Sequence, residues 1–382
     1  MKKILVINSG SATLKFKVFA ASNLKEEISG IVERIGLTGS FLSIKNDGNE
    51  IVRKFPKGIK NHEAAFHEVA KILKDILPDI QLVGHRVVHG GAEFYQPHKL
   101  DVKTIKELEK FNKLAPLHNP INLMCAKASL KLLPHAAQFA VFDTAYYASI
   151  PDYAHRYALP EKYYKLGIRR YGFHGISHKY AVREGAKLAG IQASRSRIIT
   201  CHLGSGCSLT ATLNGKAIDT TMGFTPLEGL TMSTRAGDLD ASIPLYMIET
   251  LKMQPHAIYD LFNKKSGLLA IAGTADMRDI LKGAGKKVTG YKSNKKYSIK
   301  QQADCKLALE IFIYDIVRYV GQLAMSMEGM DLIVFTGGVG ERSPVIRQMV
   351  LEKIKSLGKF KTVVVEANEE LMIAQEIKNK YQ

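Results

Sequence analysis

Hydrophobic and polar residues are arranged along the chain in two kinds of run, which predict strands and helices in mixed order. Short apolar or alternating runs predict strands at 3–8, 14–20, 27–34, 40–45, 50–54, 81–88, 138–142, 332–335 and 362–366. Longer runs with helical spacing predict helices at 62–77, 103–113, 121–132, 177–188, 241–252, 256–263, 276–283, 300–327, 344–356 and 368–379. Interspersed elements of both kinds are typical of an α/β fold.

One of these patterns occurs twice. The segment 4–14 reads ILVINSGSATL, and 198–208 reads IITCHLGSGCS. Each has an apolar run, a polar residue, a Gly-Ser pair and a second alternating run, which predicts a strand, a tight turn and a strand. Glycine lets a backbone approach an anion, and exposed amides in such turns bind phosphate. The repeat indicates either two related halves that each face a ligand or two unrelated glycine hairpins.

Length and composition favour a globular protein of two or three domains. The chain has 382 residues, of which 46% are apolar and 24% charged, and these are ordinary proportions. We expect a domain boundary near 144–152. Four cysteines without a C-x-x-C spacing argue against zinc and against a disulfide framework, so we expect a cytoplasmic protein. The apolar run at the start of the sequence ends at Asn8–Ser11, which makes it too short for a signal peptide. No apolar run is long enough for a membrane span.

Charge is the unusual property of the composition. The net charge is +18, and seven lysines lie within 282–300, which reads KGAGKKVTGYKSNKKYSIK. This segment is either a solvated loop between helices or a nucleic-acid patch. A positive protein also attracts anionic small substrates, and charge alone does not separate these interpretations.

Two arginines and one aspartate lie where side chains can reach a ligand. Arg86 and Arg235 stand beside glycines, and arginine binds carboxylate or phosphate with two parallel hydrogen bonds. Surface ion pairs are the alternative for both. Asp143 ends an apolar strand, which is a common catalytic or metal-binding position in α/β folds, although it could instead cap a helix.

Two further pairs of polar residues are candidates for metal binding. His174 and His178 are one helical turn apart, but no third ligand stands nearby, so zinc is not favoured. Glu369 and Glu370 open the last predicted helix, where acidic residues also simply favour the helix dipole. Successive helical residues point about 100° apart, so we expect only one of these two glutamates to face an ion.

Taken together, the motifs resemble the acetate kinase family over nearly the whole chain. The matching runs are INSGSATLK, GHRVVHGG, LAPLHNP, VFDTA, RRYGFHGISHKY, ITCHLGSG, DTTMGFTPLEGLTMSTRAGDLD, NKKSGLLAIAG, DMRDI, VFTGGVGE and NEELMIA. The resemblance implies duplicated actin-like ATPase (ribonuclease H-like) α/β domains around a nucleotide cleft. It implies an N-terminal domain, 1–146 plus 371–382, on the acetate side and a nucleotide-binding and dimerisation domain, 147–370.

The resemblance also implies roles for individual residues. Asn8 and Glu369 would bind Mg²⁺, which Mn²⁺ can replace, and Arg86, Asp143, His174 and Arg235 would be catalytic. Arg86 would also bind substrate, together with an apolar pocket for the acetate methyl group formed by Val88, Leu117, Phe173 and Pro226. ATP or ADP would contact Lys15, His202, Leu203, Gly204, Ser205, Gly206, Asp276, Met277, Arg278, Gly338, Val339, Gly340, Glu341 and Arg342.

The implied reaction is reversible, direct in-line phosphoryl transfer from ATP to acetate, giving acetyl phosphate and ADP. Acetate is already an anion, so its attacking oxygen needs no general base, and Asp143 would orient other groups. Two arginines, a histidine, the metal and backbone amides would offset the repulsion between the two anions. The family also implies a homodimer, without nucleic acid or membrane as a partner.

Three residues depart from the family pattern. Ser205 and Arg342 stand where asparagine is usual, and Tyr147 stands where histidine is usual. The chain is also shorter than usual between Pro344 and Asn368. Ser205 and Arg342 leave nucleotide affinity and donor choice open, with GTP and pyrophosphate as other donors. The further alternatives are a preference for propionate, a non-catalytic sensor of acetyl phosphate and a nucleic-acid-binding protein.

Overall fold

The chain forms two compact units, each built on one β-sheet. The computed structural model describes residues 2–46 and 48–381. Unit 1 contains the chain up to Ala148 and the segment from Asn368 onward, and unit 2 is Ser149–Ala367. The limits expected from the sequence were 146 and 370, and its outer limits, residues 1 and 382, lie outside the described residues.

The strands and helices alternate along the chain as the pattern predicts. The strands are β1 (Lys3–Ser9), β2 (Thr13–Ala20), β3 (Glu26–Glu33), β4 (Ser40–Asn46), β5 (Asn49–Phe55), β6 (Ile80–Val87), β7 (His98–Lys99), β8 (Ala137–Phe142), β9 (Arg197–Leu203), β10 (Cys207–Leu213), β11 (Lys216–Thr220), β12 (Leu332–Thr336) and β13 (Lys361–Val364). The helices are α1 (His62–Ile72), α2 (Val102–Leu108), α3 (Asn119–Leu132), α4 (Asp152–His155), α5 (Glu161–Lys165), α6 (Gly175–Ala189), α7 (Ser242–Glu249), α8 (Pro255–Lys264), α9 (Gly267–Ala272), α10 (Met277–Gly283), α11 (Ile299–Ser326), α12 (Gly337–Arg342), α13 (Pro344–Lys353) and α14 (Glu369–Tyr381).

The two sheets share the same order of five strands. Unit 1 has the order β5-β4-β3-β2-β1-β6-β8-β7, and unit 2 has β11-β10-β9-β12-β13. In each, the strand that opens the sequence repeat pairs antiparallel with the next strand and parallel with a later one. Five strands of unit 1 therefore correspond in order to the five of unit 2. The predicted pair of hairpins is confirmed, and the reading as two related halves is favoured over two unrelated hairpins.

Helices cover the sheet of unit 1 on both faces, which explains why β1 reads as an unbroken apolar run. Leu5 and Ile7 belong to the core formed with α1 and α3. The opposite face is covered by α14, which contacts β1, β6 and β8, and in unit 2 the helix α6 contacts β9, β12 and β13. The C-terminal helix of the chain thus covers unit 1 in the way that α6 covers unit 2.

A helix packs closely on the sheet in both units. The glycine that permits this packing lies in the sheet in unit 1 and in the helix in unit 2. Gly84 of β6 pairs with Val6, and Val334 of β12 pairs with Thr200, which aligns with Val6 in the repeat. A β-carbon on Gly84 would lie 2.5 Å from Ile373 Cγ2 of α14. In unit 2 the glycine is on the helix, because a β-carbon on Gly185 of α6 would lie 2.6 Å from Val334 Cγ2.

Several predicted boundaries are wrong by part of a helix. α1 ends at Ile72, five residues before the predicted end, and a 3₁₀ turn follows at Leu77–Asp79. The predicted helix 103–113 becomes α2 followed by a 3₁₀ turn at Glu109–Lys113. The glycine run after β12 forms the short helix α12, which the sequence pattern had not predicted. Within the described residues, no helix has both the length and the apolar character to cross a membrane.

The close helix–sheet contact in unit 1 predicts a cost for any side chain at Gly84. Gly84→Ala should lower the free energy of unfolding by about 1–3 kcal/mol, the usual cost of overpacking a core. The added methyl group would meet Ile373 and Ile377 at 2.5 and 3.0 Å. Denaturant unfolding of the variant measures this loss.

Gly321→Ala in α11 is the matched control, because a β-carbon there meets nothing within 4 Å. It should be neutral or stabilise by up to about 1 kcal/mol, as alanine is the better helix former. Equal losses in the two variants would contradict the close contact at Gly84.

Candidate active site

The strand ends of unit 1 bring together a cluster of charged and polar side chains. Arg86 is near the end of β6, Asp143 directly follows β8, and Asn8 is in β1. β6 lies between β1 and β8 and runs parallel to both, so their carboxyl ends share one edge. Arg86 Nη2 donates to Asp143 Oδ2 at 2.6 Å and Nε donates to Oδ1 at 3.0 Å, while Nη1 donates to Asn8 Oδ1 at 3.0 Å. The predicted catalytic pair Arg86 and Asp143 is therefore one bidentate ion pair.

This ion pair is largely removed from water. The exposed side-chain fraction is 16% for Arg86 and 2% for Asp143. Burial lowers the pKa of Arg86, but the carboxylates of Asp143 and Glu369 more than offset this, and the net direction is upward. Burial raises the pKa of the Asp143 carboxyl, and the guanidinium offsets this only in part. Arg86 is thus a permanent cation whose position is fixed by Asp143.

Asn8 links this pair to the start of α14. Its amide nitrogen donates to Glu369 Oε2 at 2.9 Å and to Glu370 Oε1 at 2.7 Å. Both long side chains in the first turn therefore reach the same amide. The expectation that only one of them would face an ion stays a prediction. Carboxylate and amide oxygens are the ligands that Mg²⁺ prefers, usually one or two carboxylates plus phosphate and water, so Asn8, Glu369 and Glu370 fit the implied ion.

The loop that follows β6 is held by two buried asparagines of α3. Asn119 Oδ1 accepts from the His89 amide at 2.9 Å, and Asn122 Oδ1 accepts from the Val88 amide at 3.1 Å. Asn122 also donates to the carbonyl of Ser9 at the end of β1, at 2.9 Å. The sequence patterns did not mark either asparagine as a support of the site, although Asn119 lies in the motif LAPLHNP.

The four residues expected to form an apolar acetate pocket are divided between the two units. Val88 is buried in unit 1, where Leu117 is more exposed, and Phe173 is buried in unit 2, which also contains Pro226. The pocket therefore stays a prediction. Tyr147, the departure from the family pattern, is buried in unit 1 against Tyr146.

In unit 2, the turn of the second hairpin lies beside a histidine and an arginine. A β-carbon on Gly206 would lie 3.3 Å from His174 Nε2 and 3.4 Å from Arg235 Nη1. Only glycine therefore leaves this space between the two side chains open. The His174 ring stacks on His202 with 4.4 Å between ring centroids, and its backbone has the left-handed conformation at φ 59°. Such strain in a non-glycine residue is often found at functional sites.

Arg235 differs from Arg86 in having no acidic partner. Its Nη1 donates to the Pro226 carbonyl at 2.9 Å and contacts Met232 Sδ at 3.5 Å. Among the described residues, no carboxylate lies within ion-pair distance of Arg235. Burial lowers the pKa of its guanidinium, and Cys207 and Tyr259 offset that effect only in part. Unit 2 therefore presents an uncompensated cation beside its Gly-Ser turn.

Next to this turn, unit 2 contains a cavity of about 700 Å³, within the range of small-molecule sites. The predicted nucleotide-binding residues that line it are Gly204, Ser205, Asp276, Met277, Arg278, Gly338, Val339 and Arg342. His202, Leu203, Gly206, Gly340 and Glu341 are not among its lining residues, although they belong to the same loops. Lys15 lies in unit 1, beside a shallow groove with Lys17 and Lys45, so its nucleotide contact stays a prediction.

One wall of the cavity comes from the lysine-rich segment. Val288, Thr289, Gly290 and Tyr291 line the cavity. Asp279 of α10 anchors the segment, because its carboxylate accepts from the Tyr291 hydroxyl at 2.7 Å and from Lys295 Nζ at 3.2 Å. The Arg278 guanidinium lies 4.8 Å from the centroid of the Tyr291 ring. Part of the segment thus forms one wall of the cavity and is held there by Asp279. Neither interpretation of the sequence had predicted this arrangement.

Comparison with known proteins identifies the family. The acetokinase family model matches residues 3–360. The chain belongs to the acetokinase family. It is 42% identical over 408 residues to the acetate kinase of Thermosipho africanus, covering 98% of this chain and 97% of that one. The acetate kinase of Thermotoga maritima is also 42% identical over 413 residues, and the alignment covers 98% of each chain.

Solved structures agree with this assignment. A propionate kinase from Francisella tularensis matches with a TM-score of 0.89 at 35% identity. The match covers 98% of the present chain and 99% of the propionate kinase chain. Porphyromonas gingivalis acetate kinase matches with a TM-score of 0.87 at 35% identity over 100% of both chains. The predicted α/β fold of two related units is confirmed, and its actin-like ATPase type stays a prediction.

The different surroundings of the two arginines predict different effects on stability. Arg86→Ala should lower the free energy of unfolding by about 3 kcal/mol or more near pH 8, because it leaves a buried carboxylate unpaired. The loss should shrink toward pH 5. A buried carboxyl with a raised pKa keeps its proton when the unfolded chain has lost it, so stability falls as the pH rises from the unfolded to the folded pKa.

Arg235→Ala is the comparison, since it removes a cation that has no carboxylate partner. It should cost less than about 1 kcal/mol, roughly one hydrogen bond, at either pH. Urea unfolding of both variants at the two pH values checks this. A loss for Arg86→Ala that does not depend on pH would contradict the buried pairing with Asp143.

Proposed function

We propose that this chain is an acetate kinase, which transfers the terminal phosphoryl group of ATP reversibly and in line to acetate, giving acetyl phosphate and ADP. Family membership over almost the full length supports the reaction class, a phosphotransferase with a carboxyl group as acceptor. Three of the matched proteins named above are acetate kinases, and one is a propionate kinase. Propionate is therefore the second candidate substrate.

The observation that carries the proposal is the uncompensated guanidinium of Arg235 beside His174 and the Gly-Ser turn. A partly buried cation without a carboxylate is costly unless an anion binds to it. Arg235 Nη1 and His174 Nε2 both flank Gly206, so the guanidinium, the imidazole and the turn can surround one phosphoryl group. Preorganised donors of this kind stabilise the charge on a transferring phosphoryl group without reorganisation.

On the acceptor side, Arg86 is the group that would bind acetate. Its guanidinium uses Nε and Nη2 on Asp143, while Nη1 contacts Asn8. Asp143 is engaged by the guanidinium and holds it in place, so we assign it an orienting role. No proton has to be removed, since acetate is already ionised at neutral pH and attacks as the carboxylate.

Asn8, Glu369 and Glu370 are the residues that would hold the divalent ion. Bound there, Mg²⁺ would supply positive charge that neutralises phosphate oxygens. The hydrogen bonds from the Asn8 amide nitrogen to both carboxylates support this assignment, because they bring two carboxylates together beside Asn8.

ATP is the donor that we assign to the cavity of unit 2. The volume of the cavity suits a nucleotide. The Gly-Ser turn in its lining would bind phosphate, and residues 288–291, which are distant from that turn in the sequence, form another part of its wall. Ser205 offers one hydroxyl where the family usually has an amide, and a bridging water can replace such a contact at about 0–2 kcal/mol. ATP should therefore remain usable, with GTP and pyrophosphate as the alternatives.

Trapping of acyl phosphate with hydroxylamine tests the proposal directly. The full-length protein should form acyl phosphate from ATP and acetate, less efficiently from propionate and poorly from butyrate, because overpacking outweighs added burial in a pocket that fits a methyl group. Omission of Mg²⁺ should abolish product. GTP and pyrophosphate in place of ATP form parallel arms of the experiment.

Arg235→Ala should lower kcat/KM at least about 100-fold, on the scale of a lost oxyanion donor. Arg318→Ala is the control, because this exposed arginine pairs with Asp238 outside the cavity. Product from pyrophosphate but not from ATP would overturn the donor, and better turnover of butyrate than of acetate would overturn the acceptor.

We also infer that the chain forms a homodimer through unit 2. Helix α7 has no buried residue, and it exposes Ile243, Leu245, Tyr246 and Ile248. An exposed apolar surface of this kind is typical of an interface. Sedimentation should give twice the mass of the chain, and Tyr246→Glu should give a monomer. A monomeric wild type at micromolar concentration would refute the dimer.

A cytoplasmic location is the last part of the proposal. ATP as donor supports it, and so do the four cysteines, which are unpaired and buried. Cell fractionation checks it, and recovery of the protein in an extracellular fraction would contradict it.

A further inference from the structure

A line of buried polar side chains leads from the interior of unit 2 to His174. Thr200 in β9, His178 in α6 and Ser208 in β10 are each 0% exposed. His178 Nδ1 lies 2.6 Å from Thr200 Oγ1, and His178 Nε2 lies 2.8 Å from Ser208 Oγ. The same serine oxygen lies 2.9 Å from His174 Nδ1. Three consecutive hydrogen bonds therefore connect Thr200 with His174.

Sheet register and helix periodicity produce this line. Ser208 pairs with His202 across the hairpin, and Thr200 precedes His202 by two residues, so all three side chains point to one face of the sheet. Helix α6 covers that face, and His174 and His178 are one helical turn apart at its start. The His174 side chain stands at the outer end, where its Nε2 flanks Gly206.

The Ser208 hydroxyl is fully buried, so leaving its hydrogen without an acceptor would be costly. When this hydroxyl donates within the line, the available hydrogens allow only two arrangements. Each hydroxyl has one hydrogen, and a neutral imidazole has one N–H. Burial, with a smaller contribution from His202, lowers the pKa of His178 well below its ordinary value, so its imidazole is neutral. Either each group donates toward His174, which places the hydrogen of His174 on Nε2, or each donates toward Thr200, which leaves a lone pair on Nε2.

Only the first arrangement suits a phosphoryl group. A neutral His174 with a lone pair on Nε2 would repel a phosphoryl oxygen, whereas an Nε2–H beside Arg235 would donate to it. We propose, on the basis of the proposed kinase function, that Thr200, His178 and Ser208 form a directional relay that keeps the hydrogen of His174 on Nε2. His178 and Ser208 are then positioning residues, because they act on the phosphoryl group only through His174.

Nitrogen-15 NMR of the full-length protein, labelled at histidine, reports the relay without any activity measurement. The His174 signals are those absent from the spectrum of His174→Asn. Near neutral pH they should show a neutral ring with hydrogen on Nε2 and an Nδ1 that accepts a hydrogen bond. A hydrogen on Nδ1, or a doubly protonated ring, would overturn the proposal.

Variants along the line test its role in catalysis. Ser208→Ala removes the donor to His174 Nδ1 and should lower kcat about tenfold, with KM for ATP and acetate changed less than about threefold, because the effect falls on the transition state. His178→Leu should behave in the same way. His178→Gln should restore most of kcat, since an amide supplies both a donor and an acceptor.

Thr220→Val is the matched control. It removes a hydroxyl of a residue that is also buried, at 2% exposure, and that donates to the Leu209 carbonyl at 2.9 Å, outside the line. Its kcat and the His174 signals should stay at wild-type values. If His178→Leu fails to fold, Ser208→Ala still decides, because it removes a single hydroxyl.

A folded Ser208→Ala protein with unchanged kcat and unchanged His174 signals would refute the relay. The kinase function can fail separately. A wild type that shows the hydrogen on Nε2 but forms no acyl phosphate from any tested donor would refute that function while supporting the arrangement of the hydrogens.

Discussion

The removal of guanidinium groups from water is the physical constraint on which the site depends. Arg86 and Arg235 both lose hydration, yet only Arg86 receives a carboxylate in return, from Asp143. In unit 1 the pair is balanced, and the carboxylate fixes the direction of the guanidinium. In unit 2 the imbalance remains, and a bound anion would remove it. Arg86 is thus held in place by a carboxylate of the protein, whereas the charge of Arg235 would be balanced by a bound anion.

Duplication explains how one fold supplies two such different arginine sites. In both units the first hairpin and the parallel strands beside it end at one sheet edge, and a helix packed closely on the sheet brings further side chains there. The helix over unit 1 begins with Glu369 and Glu370, whereas the helix over unit 2 begins next to His174. The same geometric position therefore carries acidic residues in one half and histidine in the other. Gly84 and Gly185 permit the close packing from opposite sides of the contact.

The sequence predicted those features that depend on local pattern. The two hairpins, the long helix α11 and the residues of the Gly-Ser turn follow from periodicity and glycine placement, and motif resemblance assigned the roles of the arginines and His174. Features that depend on side-chain reach or on distant packing were not predicted. The angle of about 100° between successive helical residues predicted that Glu369 and Glu370 would point to different places. Both side chains are long enough to reach Asn8 from the first turn of α14. Asn119 and Asn122 support loops far away in sequence, and no local pattern marks such supports.

The lysine-rich segment shows why charge could not be interpreted alone. Its lysines suggested a solvated loop or a nucleic-acid patch, yet Val288 and Tyr291 line the cavity. Asp279 accepts hydrogen bonds from Tyr291, Lys295 and Tyr297, so one carboxylate holds several points of the segment. A loop that only carried charge would need no such anchor. The segment is better understood as a cavity wall whose lysines, most of them exposed, add positive potential around a site for anions, which is the third interpretation that the net charge had left open.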